Sequence, residues 1–291
     1  MSLLKEILYG LAGGAFGAFP LSFSGLASLA GHFTGIETQT DGLAALCVIG
    51  GTALAFLLRY FRKISASLAG TFRMLISMVW KGFSYEKEAT ADQRDAVMTL
   101  LSVLPTALVF PIGSKLTVIM TDGDVIVEGI CFLLCGAVLT AACRNPVTDR
   151  ADGQMRADHA LIIGTVCALS VLSGISAVAV GMSVAVLLGY EPSFAFRRSL
   201  LPSLTAELFS VLSGPLDAAA GTDITVIAVS TAAAAAAGLA AVWLSGILIK
   251  KEKMTIFAYI SLAVGLAAVI AGTVETASGM TWAELIDALK G

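Results

Sequence analysis

Charge is what this sequence has least of. Only 13% of its 291 residues are Asp, Glu, Lys or Arg, about half the roughly 25% of a soluble domain. That shortage excludes an ordinary soluble globular protein. With a net charge of −3, no nucleic-acid partner is expected. Histidine is nearly absent, with His32 and His159 the only two. No Walker motif, dinucleotide fingerprint or metal-binding His pair occurs, so no cofactor or metal site is expected. The apolar–polar alternation of an outer-membrane barrel strand is missing too. No cleavable signal peptide is expected: Gly10, Gly13, Gly14 and Gly17 interrupt the apolar run after Lys5 and Glu6, and no clear cleavage site follows.

What is present is long, continuously apolar sequence. Hydrophobic residues make up 57% of the chain, and the mean hydropathy is +0.88. Backbone groups in a bilayer must pair internally, which helices achieve. The fold class expected is therefore an all-α polytopic membrane protein. Six spans are read at 43–58, 96–112, 125–143, 199–213, 224–249 and 254–272. The five cysteines, Cys47, Cys131, Cys135, Cys143 and Cys167, lie inside apolar runs and read as small hydrophobes. Cys131 and Cys135 share a helix face without a His or carboxylate cluster to complete a metal site. The run Ala232–Ala237 reads as a small-residue packing surface within a span, and such surfaces permit a homodimer.

Two further apolar stretches, 5–31 and 160–189, are broken near their middles by Pro, Gly and Ser. Each is too long for one span and too short for two, which predicts re-entrant hairpins. Broken backbone at membrane depth is tolerated inside protein or beside a wet cavity, so the breaks predict a site. Fifteen of the 18 basic residues fall on one side of the resulting path; only Lys5, Lys115 and Lys290 fall on the other. The excess marks the cytoplasmic side of the membrane and leaves both termini outside. The second half then repeats the first upside down. An inverted-topology repeat is expected, with 1–143 as the first unit, 144–159 as a cytoplasmic linker and 160–291 as the second. Ser22 and Ser176 fall at matching breaks. The segment 64–83 reads as an amphipathic helix on the inner surface, and 84–95 as a polar loop. Glu207, inside a span, is a candidate functional carboxylate beside Ser203 and Ser210. Arg197 and Arg198 read as interfacial anchors, His32 as an exposed interfacial residue, and His159 as a solvated linker residue.

The two broken stretches carry a resemblance. Residues Gly13 to Leu26 match the length of a first hairpin reading E/Q-G-L-T-E-F-L-P-x-S-S-S/T-G-H, and share Gly14, Pro20, Ser22, Ser24 and Gly25. Residues Ser173 to Gly181 fit a second hairpin reading P-G-x-S-R-S-G-x-T, sharing Gly174 and Ser176. The chain thus resembles the BacA-type undecaprenyl-diphosphate phosphatase family. That resemblance implies hydrolysis of a polyprenyl diphosphate, with the lipid carrier recycled for cell-wall synthesis and the site between the hairpins.

Departures from the pattern fall on the ionisable positions. The two acidic or amide positions hold Gly13 and Gly17, a serine holds Phe23, and the histidine holds Leu26. The arginine position holds Ala177, the next serine Val178, and the threonine Gly181. Ser22 and Ser176 remain, with Ser24 nearby. No catalytic residue is assigned. The candidate binding set is Ser22, Ser24, Gly25, Gly174, Ser176 and Glu207. A divalent cation is expected only if the family's hydrolysis is retained. The expected function is a degenerate homologue that binds or translocates an isoprenoid or other membrane lipid. An active diphosphatase and a small-solute transporter are the alternatives.

Overall fold

A computed structural model describes residues 3–34, 43–81, 90–120, 125–145, 155–213, 224–282 and 284. Ten α-helices and no strands occur among them. They are α1 (Leu3–Ala18), α2 (Phe23–Thr34), α3 (Leu43–Lys81), α4 (Ala91–Met120) and α5 (Val125–Arg144). The second half holds α6 (Ala157–Ala168), α7 (Ala177–Leu187), α8 (Pro192–Ser213), α9 (Ile224–Lys250) and α10 (Thr255–Ser278). The stretch expected as an outer loop near Glu37 and Asp41 and most of the expected 144–159 linker lie outside the described residues.

Among the described residues, five helices are long and apolar enough to cross a bilayer: Ala45–Met74, Ala91–Gly113, Val125–Arg144, Ile224–Lys250 and Thr255–Ser278. The expected span at 199–213 lies within α8, which also carries Arg197, Arg198 and Glu207 and is not one of the five. Both stretches expected to be broken are helix–break–helix. α1 ends at Ala18 and α2 starts at Phe23; α6 runs through a short 3₁₀ turn, Leu169–Val171, before α7 starts at Ala177. α2 and α7 have 12 and 11 residues. At 1.5 Å per residue that is about 18 and 16 Å, short of a hydrocarbon core of about 30 Å.

Two boundaries differ from the sequence reading. The segment 64–83 is no separate helix, because α3 continues unbroken through 39 residues to Lys81. Arg59, Arg62 and Lys63 mark a change from apolar to mixed sequence, but nothing there breaks a helix. Nor does the polar loop extend to residue 95. α4 starts at Ala91, fixed by a reciprocal cap: the Gln93 backbone N–H donates to Thr90 Oγ1 (3.3 Å), and the Thr90 N–H donates to Gln93 Oε1 (2.9 Å).

The core forms around α7. Every residue from Ala177 to Ser183 is buried, as a helix apolar on all sides requires. α7 packs on α5, α6 and α8, while α1 packs on α3 and α9, and α5 pairs with α10. Small residues bring these helices together. A Cβ on Gly10 would lie 2.7 Å from the Ser230 carbonyl oxygen, and one on Gly14 would strike the Ala234 backbone. A Cβ on Gly129 or Gly265 would meet the other's carbonyl oxygen at 2.9 and 2.7 Å. The alanine run of α9 thus packs closely, as its composition predicts. Cys47, Cys131, Cys135 and Cys167 are buried free thiols.

Candidate functional site

Each break ends in a serine that opens the following helix. Ser22 Oγ accepts the Gly25 N–H at 3.3 Å, and Ser176 Oγ accepts the Ala179 N–H at 3.3 Å. Their carbonyls accept from Leu26 and Val180 at 3.1 and 3.0 Å. Both are therefore N-caps, each satisfying backbone donors that a helix start leaves unpaired. The Ser22 and Ser24 hydroxyls are 3.2 Å apart.

Glycine lets the breaks touch. A Cβ on Gly25 would sit 2.7 Å from Gly174 Cα. Gly174 has φ +91°, in the left-handed region that glycine tolerates, and a Cβ there would lie 2.7 Å from the Glu128 carbonyl oxygen. Close contact between the two breaks thus depends on both glycines.

Between the breaks lies a cavity of about 120 Å³, room for several waters. Ser22, Ser24, Ser170 and Ser176 line it from the breaks. Thr52 enters from α3, Phe110 from α4, and Ser203, Glu207 and Ser210 from α8. The last three recur at helical spacing on one face. Among the described residues lining it there is no Lys, Arg or His, and Glu207 is the single ionisable side chain. Glu207 Oε2 and Ser170 Oγ are shielded from solvent without a hydrogen-bond partner. The N-termini of α2 and α7 open onto this space, each carrying the partial positive charge of unpaired N–H groups.

Of the candidate binding residues, Ser22, Ser24, Ser176 and Glu207 line the cavity, and Gly25 and Gly174 hold its two sides together. The positions expected to have lost the family's polar groups pack against their neighbours, and Gly17, Phe23, Ala177 and Val178 also line the cavity. A Cβ on Gly17 would come 2.8 Å from Thr52 Cγ2, and one on Gly13 would come 2.6 Å from Val48 and 2.8 Å from Phe23. Leu26 packs with Leu29, Phe132 and Ala268. Ala177 and Val178 are buried in the main core. A Cβ on Gly181 would strike Cys167 Sγ and approach Ser199 Cβ at 3.0 Å. Thr52, Ser170 and Phe110 carry no local sequence signal of a site; long-range packing alone brings them in.

Two charged or titratable residues sit differently from the sequence reading, and a third sits as expected. Arg198 is no interfacial anchor: it is 1% exposed, and its Nη1 donates to Asp95 Oδ1 (3.0 Å) and Thr99 Oγ1 (2.7 Å). A guanidinium can be buried there because α4 supplies its counter-charge. His159 is buried rather than solvated, its Nδ1 2.9 Å from the Tyr190 hydroxyl. His32 is exposed as expected, and its Nε2 also meets Glu275 Oε2 at 2.8 Å.

Together the helices and the site define a multi-pass, all-helical membrane protein with a cavity between two broken helical stretches. The comparisons agree. A family model described as "Bacitracin resistance protein BacA" matches residues 6–267, and the chain belongs to that family. It is 27% identical over 279 residues to an undecaprenyl-diphosphatase of Desulfatibacillum aliphaticivorans, covering 94% of this chain and all of the relative. It is 26% identical to an undecaprenyl-diphosphatase of Christiangramia forsetii, covering 93% and 98%, and 26% identical to one of Methanosphaera stadtmanae, covering 94% and 99%. The apolar helices and the family together place it as a multi-pass protein of the inner membrane.

Proposed function

We propose that this protein is a catalytically degenerate member of its family, which binds or translocates a polyprenyl or other lipid with a small head group and does not hydrolyse a diphosphate. The lining of the inter-hairpin cavity carries this reading: hydroxyls and one carboxyl, with no cation. A diphosphate near the membrane interior needs charge-assisted hydrogen bonds, for which arginine is the best planar partner. Losing an arginine that stabilises a transferring phosphoryl group costs about 10³-fold or more. Losing a general acid or base costs roughly 10²–10⁴-fold. Such groups act as a unit, so the losses do not simply multiply, but together they leave little catalysis. Two helix N-termini and a ring of hydroxyls still suit a small polar head group, and the apolar walls suit a chain.

The proposed architecture is six spans and two re-entrant hairpins, in two inverted repeats covering 1–143 and 160–291. Packing relations support it. Gly10 lies against Ser230 and Gly164 against Ser102, which exchanges first-half and second-half elements. Gly129 and Gly265 contact each other, while Gly136 meets Leu262 and Gly272 meets Ile126. The steps from Ile126 to Leu262, Gly129 to Gly265 and Gly136 to Gly272 along the chain are equal, as a two-fold relation requires. The proposed orientation puts the basic loops in the cytoplasm. The meeting of Lys63, Asp95 and Arg198 favours it, since it brings three of those polar ends to one side.

The relatives' printed name favours one other reading, an active undecaprenyl-diphosphatase. Purified protein incubated with a polyprenyl diphosphate separates the two by phosphate release. Native mass spectrometry tests the lipid: the proposal expects a co-purified polyprenyl or small-headed lipid. Delipidated protein that moves a small solute across vesicles overturns lipid handling.

A further inference from the structure

Arg59 of α3, Arg197 of α8 and Lys250 of α9 line a second cavity, of about 310 Å³, away from the hairpin breaks. The Arg59 guanidinium carbon is 5.6 Å from the Tyr60 ring centroid, and the charges of Arg59 and Arg197 both act on Tyr60. Phe196 and Trp243 add aromatic surface, and Trp243 is 62% exposed. Among the described residues, no Asp or Glu lines the cavity. Among the described residues none of the three cations forms a salt bridge.

The contrast with nearby charges is informative. Arg198, the next residue along, is neutralised by Asp95, which also pairs with Lys63 at 3.8 Å. The negative end of α9 offsets part of the Lys250 charge, since Lys250 lies in its last turn. Among the described residues, no salt bridge or helix C-terminus offsets Arg59 or Arg197. Like charges gathered at one cavity repel unless an anion sits among them. Trp and Tyr favour the head-group level of a membrane, and basic pockets between spanning helices suit anionic lipid head groups.

We propose that this cavity binds the phosphate of an anionic phospholipid. The two guanidinium groups face the phosphodiester oxygens, Lys250 adds a third donor, and Trp243 borders an acyl chain. Planar guanidinium donors match phosphate oxygens in pairs. The site is separate from the hairpin cavity and independent of what that cavity holds.

Trp243 supplies the readout. Protein carrying Trp80→Phe and Trp282→Phe, reconstituted in phosphatidylcholine vesicles, is titrated with brominated phosphatidylglycerol or brominated phosphatidylcholine. Phosphatidylglycerol is expected to quench Trp243 at a lower mole fraction. That preference is expected to drop roughly fivefold for each of Arg59→Gln, Arg197→Gln and Lys250→Gln. Arg62→Gln with Arg73→Gln, outside the cavity, is expected to leave it intact. Equal quenching by both lipids overturns the proposal. So does a preference lost equally in the Arg62/Arg73 variant, which marks a general surface-charge effect. Inorganic phosphate that restores the fluorescence assigns the cavity to free phosphate and overturns the lipid assignment; phosphate without effect supports it. Unchanged helical circular dichroism in each variant shows that the comparison is made between folded proteins.

Discussion

Thr52 fills the space over Gly17: a Cβ on Gly17 would lie 2.8 Å from Thr52 Cγ2. Thr52 cannot easily yield, because its hydroxyl donates to the Val48 and Ile49 carbonyls at 3.1 and 2.9 Å, and a β-branched side chain in a helix is stiff. The position expected to carry the family's carboxylate is therefore crowded by its neighbour. Gly17→Glu alone is expected to lose about 1–3 kcal/mol through overpacking. Adding Thr52→Ala is expected to recover part of that loss, since the two sites are in contact and couple. Thermal unfolding of the two variants in detergent checks it; strictly additive losses contradict it.

The junction of the breaks makes a second prediction. Gly174→Ala puts a Cβ on a residue with φ +91°, within 2.7 Å of the Glu128 carbonyl oxygen. A non-glycine residue in such a conformation costs roughly 1–3 kcal/mol, and the close contact adds to it. The melting temperature is expected to drop clearly, and helical content to persist below it. An unchanged melting temperature means that the breaks do not need glycine to meet.

Arg198 and Asp95 test the buried ion pair. Removing one partner of a buried pair leaves an uncompensated charge and costs about 3–5 kcal/mol. Arg198→Ala is expected near that range. Asp95→Asn is expected to cost less, because Asp95 is 32% exposed and solvent screens it. Denaturation in detergent gives both values. If Arg198→Ala is as stable as the parent, the pair contributes nothing to the fold.

Glu207 separates site from scaffold. Glu207→Gln keeps the shape and a polar group in the same place, so stability is expected to hold within about 0.5 kcal/mol. The amount or identity of co-purified lipid is expected to change. A lower melting temperature with unchanged lipid marks the carboxyl as structural.

The hairpin breaks were legible because Pro20, Ser22, Gly25, Gly174 and Ser176 are local signals: a missing donor, a cap, a tolerated positive φ. The apolar helices were legible from composition alone. Long-range partners were not. Arg198 looks like a surface anchor until α4 places Asp95 beside it, and His159 looks solvated until Tyr190 meets it. α3 was read as ending near residue 58 because Arg59, Arg62 and Lys63 resemble a membrane exit, whereas a helix continues past charge when no Pro or Gly breaks it. At the candidate site the serines and Glu207 were readable, but Thr52, Ser170 and Phe110 arrive only through tertiary packing.

The central claim is that the inter-hairpin cavity, lacking cations, does not cleave a pyrophosphate ester. Its most direct test is inorganic phosphate released from a C55 polyprenyl diphosphate by the purified protein, against a Ser22→Ala/Ser176→Ala double variant. The account predicts that both release phosphate at the same background rate. Turnover well above that variant, abolished with the two serines, would contradict it.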